Sequence, residues 1–535
     1  MMKLLKLSLI FSFCFCVFAQ SQDKLRPNIL MLVCEDMSPH LGCYGDSLVK
    51  TPNIDRLAKE GIRYTRMFST AGVCAPSRST LITGMYQTSI GTHNMRTQGE
   101  ASKPVNLKSY SRVLPENVKC YSEYLRAAGY YCTNNEKTDY QFEPPVTAWD
   151  ESSKKAHWRN RPDKSQPFFS IFNFNVTHES QVWARSGEPL EVDPDKVSVP
   201  PYYPESPVVR NDIARFLSNV NEMDRQVGKI IKQLEEDGLL SSTTIIFYSD
   251  HGDGLPFVKR EVTNRGLHVP FIVRYGNKVG AGTTDTALHS FVDMAPSMLS
   301  LAGVVVPGYM QGQAFLGKQT SKKERQYVFA GRDRLDTEYD RVRSVRDRRY
   351  QYLRNYFLEK PYYMNVKYRQ QQPMMVEVLK LKAEGKLNDL QMRWFLPKGV
   401  TEELYDLEKD PHQFNNLAKE PAYSTKLKDL SEALNNWIAS VGDMGAVEES
   451  KMVEEQWPGG VQPVTAAPTM VLKNGKSTLS CSTAGASIAY KVFEKGSKEP
   501  QGWQLYTGPF LKKNTQQVKA VAIRIGFAES EISVF

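Results

Sequence analysis

No apolar run in this chain is long enough to cross a membrane. The longest, Leu7 to Phe18, has 12 residues, against the roughly 20 that a spanning helix needs. No block of Lys or Arg is dense enough to read as a nucleic-acid surface. Histidine is scarce, with 8 in 535 residues, and the 8 cysteines show neither the spacing of a zinc site nor that of a disulfide framework. What is present is 41% hydrophobic and 24% charged, a globular composition that excludes disordered, collagenous and coiled-coil chains. At roughly 100 to 200 residues each, about two to four domains fit this length, ample for a deep pocket.

The short apolar run follows Lys3 and Lys6 and gives way after Ala19 to polar Gln20-Ser21-Gln22-Asp23. It reads as a signal peptide over residues 1–19, which places the mature chain in the periplasm or outside the cell. Cys14 and Cys16 lack the small residues that a lipoprotein leader puts before its cysteine. Cleavage removes two lysines and lowers the net charge from +9 to +7. That mild basic excess is compatible with an acidic glycan as partner.

Ile29 to Val33, Phe168 to Phe174 and Thr244 to Tyr248 are short, mostly apolar runs that read as strands buried on both faces of a parallel sheet. Between them Pro52 to Glu60, Asn117 to Ala128 and Asn211 to Glu236 read as helices, each ending near a glycine. This alternation predicts an α/β domain over residues 20–325. An Arg- and Tyr-rich stretch predicts a smaller α+β subdomain over 326–445, with a helix from Lys426 to Val441. Residues 446–466, with Gly459-Gly460 and several prolines, read as a linker. Residues 467–535 alternate β-rich runs with turns and predict a small β-sandwich.

In open α/β sheets ligands bind beyond the carboxyl ends of strands. The three runs end near Asp36, His178 and Asp250, which either converge on a site or simply bound their strands. Cys74-Ala75-Pro76-Ser77-Arg78 adds a cysteine at the start of a predicted helix, with Pro76 in its first turn. Such a cysteine is either a buried structural residue or a thiol activated by free backbone N–H groups.

The full string, Cys-x-Pro-Ser-Arg-x4-Thr-Gly over Cys74 to Gly84, resembles that of the type I sulfatases, whose cysteine is oxidised after translation to formylglycine (3-oxoalanine). The resemblance extends in order through Asn28 to Asp36, Thr51 to Leu57, Lys137, His178, Ser249 to Gly252, Lys259, Val269-Pro270 and Glu403 to Leu407. It implies an alkaline phosphatase-like fold and sulfate-ester hydrolysis, with a formylglycine-generating maturation enzyme as an obligatory partner. By family position the modified Cys74 is the nucleophile and Glu35, Asp36, Asp250 and His251 join it in holding Ca2+. Arg78 holds the formylglycine hydroxyl, Lys137 and Lys259 bind sulfate, and His178 binds sulfate or protonates the leaving oxygen.

The chain departs from the family pattern at three places. Glu35 stands where Asp is commoner, His251 where Asp or Asn is, so His251 either ligates the metal or supports a ligand. Glu136-Lys137-Thr138-Asp139 replaces the usual Gly-Lys-Trp-His, so that Asp139 is either a base or an orienting partner for Lys137. His93, Arg96, His268 and Arg265 either reach the sugar or are structural. Arg332, Arg334 and the cluster from Arg341 to Arg354 either approach an acidic polymer or form a solvated face. The expected substrate is a sulfated polysaccharide, with marine algal ulvan as one example. The alternatives are an N-sulfoglucosamine sulfohydrolase, a phosphoester hydrolase of the alkaline phosphatase superfamily, and a glycan-binding protein without activity.

Overall fold

The computed structural model describes residues 26–98 and 107–535, and the predicted signal peptide lies outside them. Strands β1 (Asn28–Cys34), β2 (Ile62–Phe68), β3 (Tyr131–Asn135), β4 (Glu151–Ser152), β5 (Phe168–Phe174), β6 (Thr243–Ser249), β7 (His268–Arg274), β8 (Thr283–Asp285) and β9 (His289–Ser290) form one sheet. Its order is β4-β3-β5-β1-β6-β7-β2-β8, with β9 beside β2. β1 pairs in parallel with both β5 and β6. The expectation of a parallel sheet is corrected at β7, which runs antiparallel to β6 and to β2. Its apolar composition suits a buried strand of either direction, so the sequence carries no sign of the reversal.

Alternate residues of the central strands enter two cores, as the period of a pleated strand requires. Leu30, Leu32, Phe168, Phe172, Ile245 and Phe247 pack beneath the helices Pro52–Lys59 and Pro207–Glu236. Ile29, Met31, Val33, Phe169, Ile171 and Ile246 pack on the other face against Cys74–Thr83, Tyr121–Ala127 and Met294–Leu301. Covered on both sides, the sheet exposes only its edges to ligands. The carboxyl ends of β1, β5 and β6 open on one of them.

A second sheet of four antiparallel strands, Val328–Arg332, Val342–Arg346, Tyr350–Asn355 and Glu402–Asp406, follows. Leu430, Leu434 and Trp437 of the helix Ser424–Val441 pack against it, and Gly442 ends that helix in a left-handed conformation. Beyond residue 467 lie two further small antiparallel sheets of three and four strands. They rest on the first part of the chain, where Lys119 Nζ donates to Ser487 Oγ at 3.0 Å and Arg126 Nη2 to the Trp503 carbonyl at 2.7 Å.

The stretch expected to be a linker is instead held in place. It carries a helix, Glu449–Gln456, whose Glu449 is buried. The Glu449 carboxylate accepts from Arg334 Nε and Nη2 at 2.5 and 2.7 Å and from the Tyr110 hydroxyl at 2.7 Å. Beside that ion pair, Met452, Val453 and Trp457 are buried, a short apolar face that the turn-rich composition hid. Removing one partner of a buried pair leaves the other charge uncompensated, at a cost of about 3–5 kcal/mol. Glu449→Gln is therefore expected to lower the melting temperature clearly, and an unchanged value in a thermal scan would show that the pair contributes nothing.

Candidate active site

The site is assembled from four loops at the carboxyl edge of the sheet. β1 delivers Glu35 and Asp36, β5 leads to His178 and Glu179, and β6 delivers Asp250 and His251. The fourth contribution is Cys74, first residue of the helix Cys74–Thr83. Gly72 precedes it with no room for a side chain: a Cβ there would lie 2.2 Å from the Glu261 carbonyl oxygen. The Gly72 carbonyl accepts from the Arg260 N–H at 2.6 Å. This close approach seats the segment bearing Lys259 against Cys74.

Asp36 is the hub. Its Oδ2 accepts from Lys259 Nζ at 2.5 Å and from the Glu179 N–H at 2.7 Å. Its backbone N–H donates to Asp250 Oδ1 at 3.0 Å, and its Oδ1 lies 3.0 Å from His251 Nε2. Arg78 spans the site, donating from Nε to Asp250 Oδ2 at 3.0 Å and from Nη1 to Asn173 Oδ1 at 2.8 Å. Its Nη2 is buried without a hydrogen-bond partner and lies 4.0 Å from Glu35 Oε1. Lys137 Nζ donates to Glu35 Oε2 at 2.7 Å and lies 3.6 Å from Asp139.

Above this floor is a cavity of about 350 Å3 lined by Cys74, Arg96, Lys137, Asp139, His178 and Lys259, together with Met95, Thr138, Glu179, Arg260 and Tyr368. A larger hollow of about 900 Å3 opens at the opposite edge of the sheet, by Asn28 and Thr244, and among the described residues its lining holds no carboxylate, cysteine or histidine. Chemistry, not volume, singles out the smaller one. Asp36, Arg96, Asp139 and Arg260 all have left-handed backbones, with φ between 55 and 77°. Non-glycine residues held in that region cost free energy and mark sites that the surrounding structure over-determines.

The charges reinforce one another. Burial disfavours the thiolate of Cys74, yet the ammonium groups of Lys259 and Lys137 outweigh it and hold the thiol down at about 6. Burial likewise opposes ionisation of Asp36, and Lys259, His178 and His251 still keep that carboxyl well below the usual range. His251 is held up at about 10 because Asp250 and Asp36 overcome its desolvation. His178 Nδ1 lies 3.3 Å from the Ser180 N–H and 2.8 Å from the Ser180 hydroxyl. As acceptor from that N–H, Nδ1 leaves the imidazole proton on Nε2.

The donor set can hold a divalent cation, with two carboxylates, an imidazole and residue 74 around one point. Ligand atoms of Asp36, Cys74, Asp250 and His251 all lie within 4.8 Å of one another, and so do those of Glu35, Asp36 and His178. Asp36 Oδ1 and His251 Nε2 are buried and face each other at 3.0 Å with no other partner. With Nδ1 directed at the Gly252 carbonyl, His251 would lose its Nε2 proton to offer that atom, together with Asp36 Oδ1, to a cation.

Residues 27–304 match the family model described as Sulfatase, and residues 252–394 match that described as N-sulphoglucosamine sulphohydrolase, C-terminal. The first covers more than half the chain. This chain belongs to the sulfatase family. The sulfatase is 46% identical to an ulvan-active sulfatase of Formosa agariphila over 95% of this chain and 90% of that protein. It is 23% identical to human N-sulphoglucosamine sulphohydrolase, over 82% and 96% of the two chains. A solved 2-O GAG sulfatase superposes with a TM-score of 0.57 at 21% identity, covering 78% of this chain and 93% of that one, which shows the alkaline phosphatase-like fold. The family is one of sulfuric ester hydrolases.

Of the four residues that either reach the sugar or are structural, three are not brought to this cavity of the sulfatase. His268 donates from Nε2 to the Thr65 carbonyl at 2.9 Å and stacks on Phe68. Burial, with Arg346 nearby, pushes its pKa down to about 4, which leaves a neutral ring inside the fold. His93 lines a neighbouring cavity instead. Arg265 is turned away as well, donating to the carbonyls of Phe257 and His412, both at 2.7 Å. Arg332 and Arg334 are buried in ion pairs with Glu261, Asp340 and Glu449, and form no solvated face.

Three charged or aromatic lining residues were missed. Glu179 lies 3.1 Å from Lys259 Nζ and accepts from both terminal nitrogens of Arg260 at 2.6 and 2.8 Å. Their adjacency to His178 and Lys259 was the available signal. Tyr368, from a loop nearly two hundred residues after His178, has the Arg96 guanidinium 5.3 Å from its ring centroid. Nothing local to Tyr368 marks it.

Proposed function

We propose that this sulfatase removes O-sulfate from a sulfated polysaccharide or oligosaccharide, using formylglycine made from Cys74 and a Ca2+ ion. The observation that carries the reading is Cys74 at the floor of a cavity whose walls hold two ammonium groups and a histidine Nε2–H. A sulfate ester is anionic and a poor electrophile, so it needs a cationic cradle and an activated oxygen nucleophile. Hydrated formylglycine supplies that oxygen and a second hydroxyl through which the enzyme is regenerated. Ca2+, held by Asp36, Asp250, His251 and residue 74, with Glu35 adjoining, supplies a Lewis acid toward sulfate oxygens.

The other residues act directly on the substrate. Lys137 and Lys259 bind two sulfate oxygens and draw charge from sulfur. Each is anchored by a carboxylate, Glu35 or Asp36, which fixes its position without neutralising the cradle. His178 Nε2 gives its proton to the departing sugar oxygen. Arg78, pinned at two of its nitrogens, keeps an unpartnered Nη2 with which it orients residue 74. Asp139, beside Lys137 at the cavity wall, takes the proton of the second hydroxyl.

An algal glycan such as ulvan is supported as substrate by the 46% identity to the ulvan-active relative. Cleavage of an N-sulfate is the second reading, favoured by the match of residues 252–394 to the sulphohydrolase C-terminal model. The predicted export of the chain fits a substrate outside the cytoplasm. We test the proposal by incubating the mature protein with ulvan oligosaccharides and with N-sulfoglucosamine, measuring sulfate by ion chromatography and residue 74 by peptide mass. Sulfate from ulvan with an aldehyde mass at residue 74 is expected. Release from N-sulfoglucosamine alone transfers the assignment to the second reading, and active protein bearing only a thiol overturns the mechanism.

A further inference from the structure

The cavity that takes His93 is a second polar hollow, about 480 Å3 in volume. It is separated from the reaction cavity by a single stretch of backbone: His93 and Asn94 line one, Met95 and Arg96 the other. That wall is pinned by the Met95 N–H donating to the Arg334 carbonyl at 2.8 Å and by Arg96 Nε donating to Asp336 Oδ1 at 2.8 Å.

Three features of this hollow point to a ligand. His93 Nδ1 and Asp333 Oδ2 are buried without hydrogen-bond partners, and their residues are each only 4% exposed. Buried polar atoms left open in a cavity cost free energy until water or a ligand pairs them. Two aromatic side chains in its lining, Tyr339 and Phe357, remain 42% and 37% exposed. A few convergent polar groups beside aromatic faces are the composition of a small-molecule site. Finally, of the four carboxylates in the described lining, Asp333 is paired with Arg343, Asp340 with Arg332 and Lys398, and Glu449 with Arg334, while Glu448 stands beside them. Arg334 is already committed to Glu449 and to the Met95 and Asp336 carbonyls. With those charges paired, the described lining offers an anion no free cation, and a carboxylate beside an imidazole suits hydroxyl groups, which donate and accept.

We propose that this second cavity binds an uncharged sugar residue of the same glycan chain whose sulfated residue occupies the Cys74 cavity. Its hydroxyls pair with His93 and Asp333 while its C–H face rests on Phe357 or Tyr339. Burial holds His93 below its usual pKa and hence neutral, able to accept at one nitrogen and donate at the other. The ligand class rests on the glycan reading above. The enzyme thereby reads more than the sulfated unit and favours sulfated residues flanked by neutral ones.

Binding is measured by saturation-transfer NMR and calorimetry with xylotetraose, galactotetraose and mannotetraose, and with tetragalacturonate as the anionic comparator. None of these carries sulfate, so the result is independent of turnover, and failure of the glycan sulfatase reading would show separately as no sulfate release. At least one neutral tetrasaccharide is expected to bind the parent and Cys74→Ala alike. Phe357→Ala, at an exposed position that leaves the core intact, is expected to weaken it about tenfold, and His93→Ala at least as much. No binding by any neutral probe, equal binding by Phe357→Ala, or tighter binding of tetragalacturonate overturns the proposal.

Discussion

Cys74→Ala is expected to lower the turnover number for sulfate release by about 10⁴-fold or more while leaving the melting temperature close to the parent's. The substitution removes one sulfur atom from a helix start whose cap makes no side-chain hydrogen bond, so the fold has little to lose. The chemistry loses everything that residue 74 supplies. Cys74→Ser separates the two oxygens of the proposed nucleophile, because an unconverted serine offers one hydroxyl and no second with which to finish the cycle. Parent-like turnover by a serine shown by mass to be unconverted would reject the mechanism. Ion chromatography of released sulfate, paired with a thermal scan, makes both measurements.

Asp36→Asn is expected to cost activity nearly as severely and to weaken Ca2+ at least as much as the about 10–100-fold typical of losing an outer-shell partner. The amide still accepts from the Glu179 N–H, so shape is preserved. What goes is the charge that faces Lys259 at 2.5 Å and His251 at 3.0 Å. Lys259 keeps Glu179 at 3.1 Å as a second partner, which limits the damage to folding. Calcium titration followed by calorimetry checks the metal half of this expectation, and sulfate release in excess Ca2+ the catalytic half. Unchanged affinity would remove Asp36 from the ligand set.

Much of the central architecture is legible in the chain because strands covered on both faces must be continuously apolar, and β1, β5 and β6 are. The reversal of β7 is not, since His268–Arg274 is as buried as its parallel neighbours. Residues in the Cys74 string and at strand ends could be found because local sequence fixes their place: a residue that ends a buried strand must emerge at the sheet edge. Tyr368 could not, as its loop reaches the cavity only through tertiary packing. His93 and Arg96 show a finer limit. Three residues apart on one loop, they face different cavities, and only the backbone path decides which side each takes. Glu449 illustrates the same gap for folding, since a buried ion pair leaves no periodicity and the three apolar side chains buried beside it are too few to set one.

Cys74 is only 3% exposed, and this fixes a timetable. In the finished protein that thiol starts a helix beneath two lysines. On the proposed mechanism its oxidation would have to come before the chain closes around it, and a molecule that folded first would be left intact and inert.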